Sequence, residues 1–174
     1  MICIQNGLIH NAITKEAFTG DILIEGGKIL EIGKDLGIQA GLGAPEESGQ
    51  GSPDCTDKGG RTDIQVIDAT GLQVYPGFVE AHGHIGLDGY GIGYEGMDYN
   101  EMNDIVCPQL RGIDGVKPLD PAFAMAAAAG VTSVCVGPGS ANVLGGTFTA
   151  IKTVGKRVEN MVIRDGVAMK CAFG

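Results

Sequence analysis

The chain has 174 residues, 44% of them hydrophobic, with 30 glycines and no tryptophan. A chain of that length can bury about 70% of the surface it exposes when unfolded, and its hydrophobic content excludes a disordered polymer. Twelve basic against twenty-one acidic residues leave a net charge of −9, which supplies no basic face for nucleic acid or for an anionic membrane surface.

The first elements read as short β structure. Ile2 and Ile4, then Leu8 and Ile9, flank an Asn6-Gly7 turn signal. The runs Ile22-Leu23-Ile24-Glu25 and Lys28-Ile29-Leu30-Glu31-Ile32 surround Gly26-Gly27 and read as a hairpin. Residues 64–69 alternate as a strand and close at Thr70-Gly71. Between them, residues 37–63 are rich in Gly, Ser, Pro and Glu and read as a mobile surface loop with Cys55 exposed in it. His10 reads as a surface residue.

From residue 72 the pattern changes. Residues 77–82 read as a buried strand that ends in a polar site, and residues 86–104 as a long Gly-rich, acidic loop. Asp120 suits a helix N-cap, Pro121 the first helical position and Gly130 the stop, so a closely packed helix is expected between them. A β-branched strand follows at 131–136, then a second helix near 149–158 and a third strand at 167–173. This alternation predicts parallel strands joined by helical crossovers. The expected division is a β-rich lobe over 1–72, with its loop at 37–63, and an α/β domain over 73–174.

The five cysteines, Cys3, Cys55, Cys107, Cys135 and Cys171, are widely spaced and form no CxxC pair. An odd, scattered set favours reduced thiols and a cytoplasmic location. Cys3, Cys135 and Cys171 sit in apolar runs and are expected in the core. The N-terminus has no basic region followed by an apolar one, so no signal peptide is expected. No apolar run approaches the ~20 residues that span a bilayer.

His82 and His84 carry the clearest chemistry. Residues i and i+2 of a strand share a face, so both imidazoles can reach one divalent ion. An isolated HxH is more often a pair of surface or core histidines. Here a strand leads into the pair and glycines flank it, which leaves room for a ligand.

With its leader, Tyr75-Pro76-Gly77-Phe78-Val79-Glu80-Ala81-His82-Gly83-His84, this pair resembles the first barrel strand of the metal-dependent amidohydrolase superfamily. Residues 20–29 and 66–71 resemble the N-terminal β-sandwich strands of those enzymes. Residues 93–96 and 137–146 resemble the imidazolonepropionase-related branch. The resemblance implies an α/β fold: a β-sandwich lobe, then the first part of a TIM-like β/α barrel. A complete barrel takes about 250 residues, and those after the lobe suffice for about three β/α units at ~30 residues each.

The resemblance also implies His82 and His84 as metal ligands. Zinc is the first choice of metal, with manganese or iron as alternatives. It implies hydrolysis of a C–N bond other than a peptide bond, in a cyclic amide or related heterocycle, by metal-activated water. No histidine follows His84, so the family's later histidine ligands have no counterpart; its general base, an aspartate of the eighth strand, is expected to be lacking in a chain of about three units, and no catalytic residue is identifiable. The family's bridging lysine could map onto Lys170, but Lys170 reads as an ordinary lysine, and an acidic ligand is expected just beyond the third strand. Residues 88–95 and 140–142, Asn142 among them, fall by loop position near a small-molecule substrate. The chain by itself is expected to lack a complete active site.

Two other readings stand beside this one. A nucleotide- or phosphate-binding loop is suggested by Gly137-Pro138-Gly139 after a strand, but Asn142 stands where the dinucleotide fingerprint needs glycine and no Gly-Lys-Ser/Thr is present. A non-catalytic binding or assembly module is the other. A partial barrel leaves a sheet edge open, so homo-oligomers or association through that edge are expected.

Overall fold

The computed structural model describes residues 1–38 and 64–173. The expected loop, apart from residues 37 and 38, lies outside the described residues, as does Cys55. The chain divides into two units, Met1–Pro76 and Gly77–Gly174.

The first unit is built on β1 (Ile2–Ile9), β2 (Phe18–Glu25), β3 (Lys28–Gly33), β4 (Gln65–Asp68) and β5 (Gln73–Val74). Its described residues form one five-stranded sheet in the order β3-β2-β1-β4, with β5 also paired to β1. Residues 73 and 74, assigned by the sequence to the second domain, are thus part of this sheet. The β2–β3 hairpin turns at Gly26 and Gly27, both at positive φ, as a two-residue turn that follows strand twist requires. The Asn6-Gly7 signal marks a bulge inside β1 rather than a turn between strands, for the β1–β2 register slips between Ile4 and Gly7. The buried Asp21 carboxylate accepts from Asn6 N at 3.0 Å and Leu36 N at 3.0 Å. Cys3, Leu23, Ile38 and Ile64 form the core of the unit.

The second unit holds β6 (Phe78–Gly83), a 3-10 turn at Tyr94–Gly96, α1 (Gly112–Gly115), α2 (Pro121–Ala128), β7 (Val131–Val136), β8 (Leu144–Lys152), α3 (Val158–Met161) and β9 (Val162–Cys171). The strand order is β6-β7-β8-β9. β6 and β7 are parallel, and the connection between them carries α2. α2 starts as its sequence predicts: Asp120 caps it by accepting from Ala122 N at 2.9 Å, and Pro121 stands at the first turn. Its all-apolar surface is less covered than expected, since Phe123 is its buried residue and Met125 is 56% exposed.

Three expectations for this unit are corrected. The helix near 149–158 is the strand β8 followed by the single turn α3. Thr147, Thr149 and Ile151 are β-branched and lose rotamer freedom in a helix, whereas β8 lies between β7 and β9 and buries Phe148, Thr149 and Ile151. With β7–β8 and β8–β9 both antiparallel, the sheet is mixed, and the described residues contain one β–α–β crossover where the sequence predicts two. Second, β6 is not buried. It stands at one end of the strand order, and Val79 is 70% exposed. Third, of the cysteines expected in the core, Cys3 is buried, Cys135 is half-buried and Cys171 is exposed on β9. β9 is the strand at the other end of the order and has one neighbour, so a side chain there has less to bury it. The core of the unit gathers Leu87, Ile113, Val116, Phe123, Val134, Val136, Ile151 and Met161.

Candidate functional site

β6 delivers His82, and Gly83 separates it from His84. The two imidazoles meet edge to face, with centroids 5.3 Å apart and planes at 86°. Phe148 of β8 lies against both, at 5.0 Å from His82 and 6.4 Å from His84. His84 lies just beyond the end of β6, and the one Phe148 ring beside both imidazoles keeps them on a common side.

His84 is held from two sides. Its Nδ1 lies 2.7 Å from the Gly137 carbonyl oxygen. A carbonyl only accepts, so Nδ1 donates there and Nε2 is the nitrogen left to meet a metal. Metal-binding histidines are oriented in the same way by a carbonyl or carboxylate on the other ring nitrogen. Tyr99 stacks on the His84 ring, 5.4 Å away with planes at 22°. His82 is met by Lys170, whose Nζ is 3.5 Å from Nε2. An ammonium only donates, so Nε2 of His82 is the acceptor there. Lys170 is the buried position in a β9 that is otherwise exposed, and neither ion pair among the described residues includes it. β6 and β9 stand at opposite ends of the strand order, so the long Lys170 side chain reaches across the sheet to His82.

The segment 137–142 organises these groups. Gly137 N donates to Gly83 O at 3.3 Å and Gly139 N to Tyr99 O at 2.6 Å. Gly137 has to be glycine: a Cβ there would stand 2.5 Å from Cγ of Phe148. These N–H groups are therefore spent on the protein backbone, and β8 rather than a helix follows the segment. It lacks what a phosphate cradle needs, free N–H groups at a helix start, and the nucleotide-binding reading is withdrawn.

The other sequence candidates fall away from the pair. Asn142 is 2% exposed, and its Nδ2 donates to Glu101 O and Asp104 O, both at 2.7 Å. Its amide is engaged within the protein, not presented to a substrate. His10 belongs to the first unit, stacks on Tyr75 at 4.3 Å and lies 3.0 Å from Gln73 Oε1 through Nε2. Tyr99, Phe148 and the Gly137 carbonyl were missed by the sequence. One signal was available for Lys170, a charge in the apolar run Val167-Ala168-Met169-Lys170-Cys171.

Two adjacent imidazoles suit a divalent first-row metal, and the Nε2 of His82 meets Lys170 Nζ at 3.5 Å. A structural or catalytic zinc needs three or four protein ligands, and among the described residues no group of three His, Cys, Asp or Glu side chains could hold a metal. The donors present thus fit part of a metal site and not a whole one. Burial pushes the Cys3, Cys107 and Cys135 thiols up from their ordinary range, which disfavours their thiolates.

An α/β unit with an HxH pair at a strand end is the class that fold and site define. No protein-family model matches the chain. It is 34% identical over 134 residues to the amidohydrolase tasK of Hapsidospora irregularis, a match that covers 76% of this chain and 12% of the relative. It is 32% identical over 90 residues to a dihydroorotase of Clostridium acetobutylicum, covering 52% of this chain and 16% of the relative. Among solved structures, an amidohydrolase from Thermotoga maritima matches with a TM-score of 0.78 and 37% identity, over 100% of this chain and 39% of that one. The chain is thus related in sequence and fold to amidohydrolases, and it spans less than half the length of each of these relatives.

Proposed function

We propose that this chain is the part of a metal-dependent amidohydrolase that contributes the first two metal-binding histidines, and that the enzyme hydrolyses a C–N bond other than a peptide bond in a cyclic amide or related heterocycle. The observation that carries the proposal is His84 Nδ1 on the Gly137 carbonyl at 2.7 Å, with the His82 ring 5.3 Å away at the end of β6. Relatives named dihydroorotase and allantoinase support the substrate class, since dihydroorotate and allantoin are both cyclic amides. Residues 93–96 and 137–146 support the imidazolonepropionase-related branch within that class. Free thiols at Cys3, Cys107, Cys135 and Cys171 support a reducing, cytoplasmic setting. No helix among the described residues is long and apolar enough to cross a membrane.

His82 and His84 would hold the metal through Nε2, with zinc the first choice and manganese or iron the alternatives. When bound, the metal would polarise the scissile carbonyl and lower the pKa of a water. The chain's own residues do the rest of what it contributes. The Gly137 carbonyl keeps a proton on Nδ1 of His84, Phe148 packs against both imidazoles, and Tyr99 fixes the tilt of the His84 ring. Lys170 stands where a cation on His82 would be repelled, so loading with metal requires its ammonium to swing away.

With two donors and no third among the described residues, the 174-residue chain is expected to be inactive alone. The test is hydrolysis of dihydroorotate, allantoin and hydantoin, with and without added zinc. The chain alone should show none. A longer protein that contains this sequence should hydrolyse one of them and lose that activity in His84→Ala. Hydrolysis by the chain alone would overturn the incomplete-site reading. Hydrolysis by the longer protein that survives both chelation and His84→Ala would overturn the proposal as a whole.

A further inference from the structure

Asn142 sits 2% exposed between two segments, with both amide hydrogens committed. Its Nδ2 reaches Glu101 O and Asp104 O at 2.7 Å each, and Cys107 Sγ at 3.7 Å. All three partners can accept, so the amide is oriented by its surroundings. Oδ1 is buried without a partner. An unmet buried acceptor costs about 1–3 kcal/mol, a cost that a leucine of similar shape would avoid. What this position needs is therefore the pair of donors.

Those donors tie down the segment that begins with Tyr99. Two further bonds run the same way, Gly139 N to Tyr99 O at 2.6 Å and Ala141 N to Asn100 Oδ1 at 3.2 Å, and one returns, from Cys107 N to Leu144 O at 2.7 Å. Gly139 has no room for a side chain, because a Cβ would meet Asn100 Oδ1 and the Tyr99 ring. The segment 137–142 thus holds His84 at both of its ends. Its first residue accepts the Nδ1 proton, and its last fixes the backbone that carries the ring stacked on His84.

We propose that Asn142 is a positioning residue for His84 and acts through Tyr99. Its two bonds hold residues 101–104, these hold the Tyr99 ring against the imidazole, and the stack leaves His84 one orientation in which Nδ1 meets the Gly137 carbonyl and Nε2 faces the shared site. The importance of this for catalysis rests on the hydrolase reading, but the geometry does not.

The test reads the His84 ring by NMR in the whole chain, with His84→Gln to assign its signals. In wild type the ring carbon protons should show the ring-current shift of a stacked tyrosine, and the two ring nitrogens should read as one fixed Nδ1–H tautomer. Asn142→Asp keeps the shape and removes both donors, and should lose that shift and average the nitrogen signals. Tyr99→Leu should reproduce the loss, and Tyr99→Phe should match wild type. The double variant Asn142→Asp with Tyr99→Leu should change the ring no further than Tyr99→Leu alone. Wild-type His84 signals in Asn142→Asp, or effects that add in the double variant, overturn the proposal. Should Asn142→Asp fail to fold, Asn142→Ser, which is smaller and keeps one donor, carries the same two outcomes. Because the readout is the ring itself, a negative result leaves the hydrolase reading standing, and a negative hydrolysis assay leaves this result untouched.

Discussion

Gly137→Ala would strike the site at its narrowest point. An added methyl would stand 2.5, 2.6 and 2.8 Å from Cγ, Cδ2 and Cδ1 of Phe148. Carbon atoms in contact prefer about 3.5–4.0 Å, so the ring has to retreat by about 1 Å. Cγ is fixed close to the backbone of β8 and cannot swing aside as the end of a long side chain would. Phe148 is 5% exposed and packs on His82 at 5.0 Å, so its retreat also moves the imidazole pair. Overpacking of this kind costs about 1–3 kcal/mol. With a urea dependence of about 2 kcal/mol per molar, the unfolding midpoint should fall by about 0.5–1.5 M. The matched control is Gly91→Ala, where φ is +75° and nothing lies within 4 Å of the new methyl, so that backbone strain of about 1–2 kcal/mol acts alone. Both variants should lose stability, but Gly137→Ala alone should shift the ring signals of His82 and His84. Unchanged ring signals in Gly137→Ala would refute the steric account of the segment 137–142.

Asp165 is held below the ordinary carboxylate range, first by the Thr149 hydroxyl at 2.5 Å and also by Gly166 N and Arg111. A depressed folded value adds stability above the unfolded value of about 3.9, and that stability is lost as pH falls through the folded value. Thr149→Val should therefore narrow the loss of stability on acidification, with the wild-type and variant curves of urea midpoint against pH drawing together below about pH 4; a gap that stays constant to low pH contradicts this. Asp120→Ala removes the cap of α2 together with the acceptor of Tyr90 N at 3.2 Å, and should cost at least about 1 kcal/mol with faster amide exchange at Ala122 and Tyr90. Val79 on β6 and Ile163 on β9 are 70% and 51% exposed on the two outer strands, so light scattering should give a mass above that of the monomer at high concentration, and a clean monomer counts against association through these edges.

Local chemistry made some elements legible in the sequence. The Gly26-Gly27 hairpin, the cap and Pro start of α2, and the β-branched strand after Gly130 all follow from residues adjacent in the chain. Pairing did not. Asn6-Gly7 has the composition of a turn, and only the partner Gly20 on β2 makes it a bulge. Residues 149–158 have a mixed pattern, and the neighbours of β8 on both sides decide for a strand. The histidine pair was visible because i, i+2 spacing is a local rule. Its setting was not, since Gly137, Phe148 and Lys170 lie at least 53 residues from the histidines they touch, as with His84 and Gly137. Asn142 stood out for the right segment and the wrong reason: loop position suggested a substrate contact, and burial gives it a backbone to hold.

The most direct measurement is a manganese titration of the whole chain, followed through the ring signals of its three histidines. The account predicts that His82 and His84 broaden together at the lowest metal concentrations, that His10 does not, and that His82→Ala or His84→Ala abolishes the effect at the remaining partner. Equal broadening of His10, or broadening of His82 that survives His84→Ala, would contradict the claim that the two imidazoles act as one metal-binding pair.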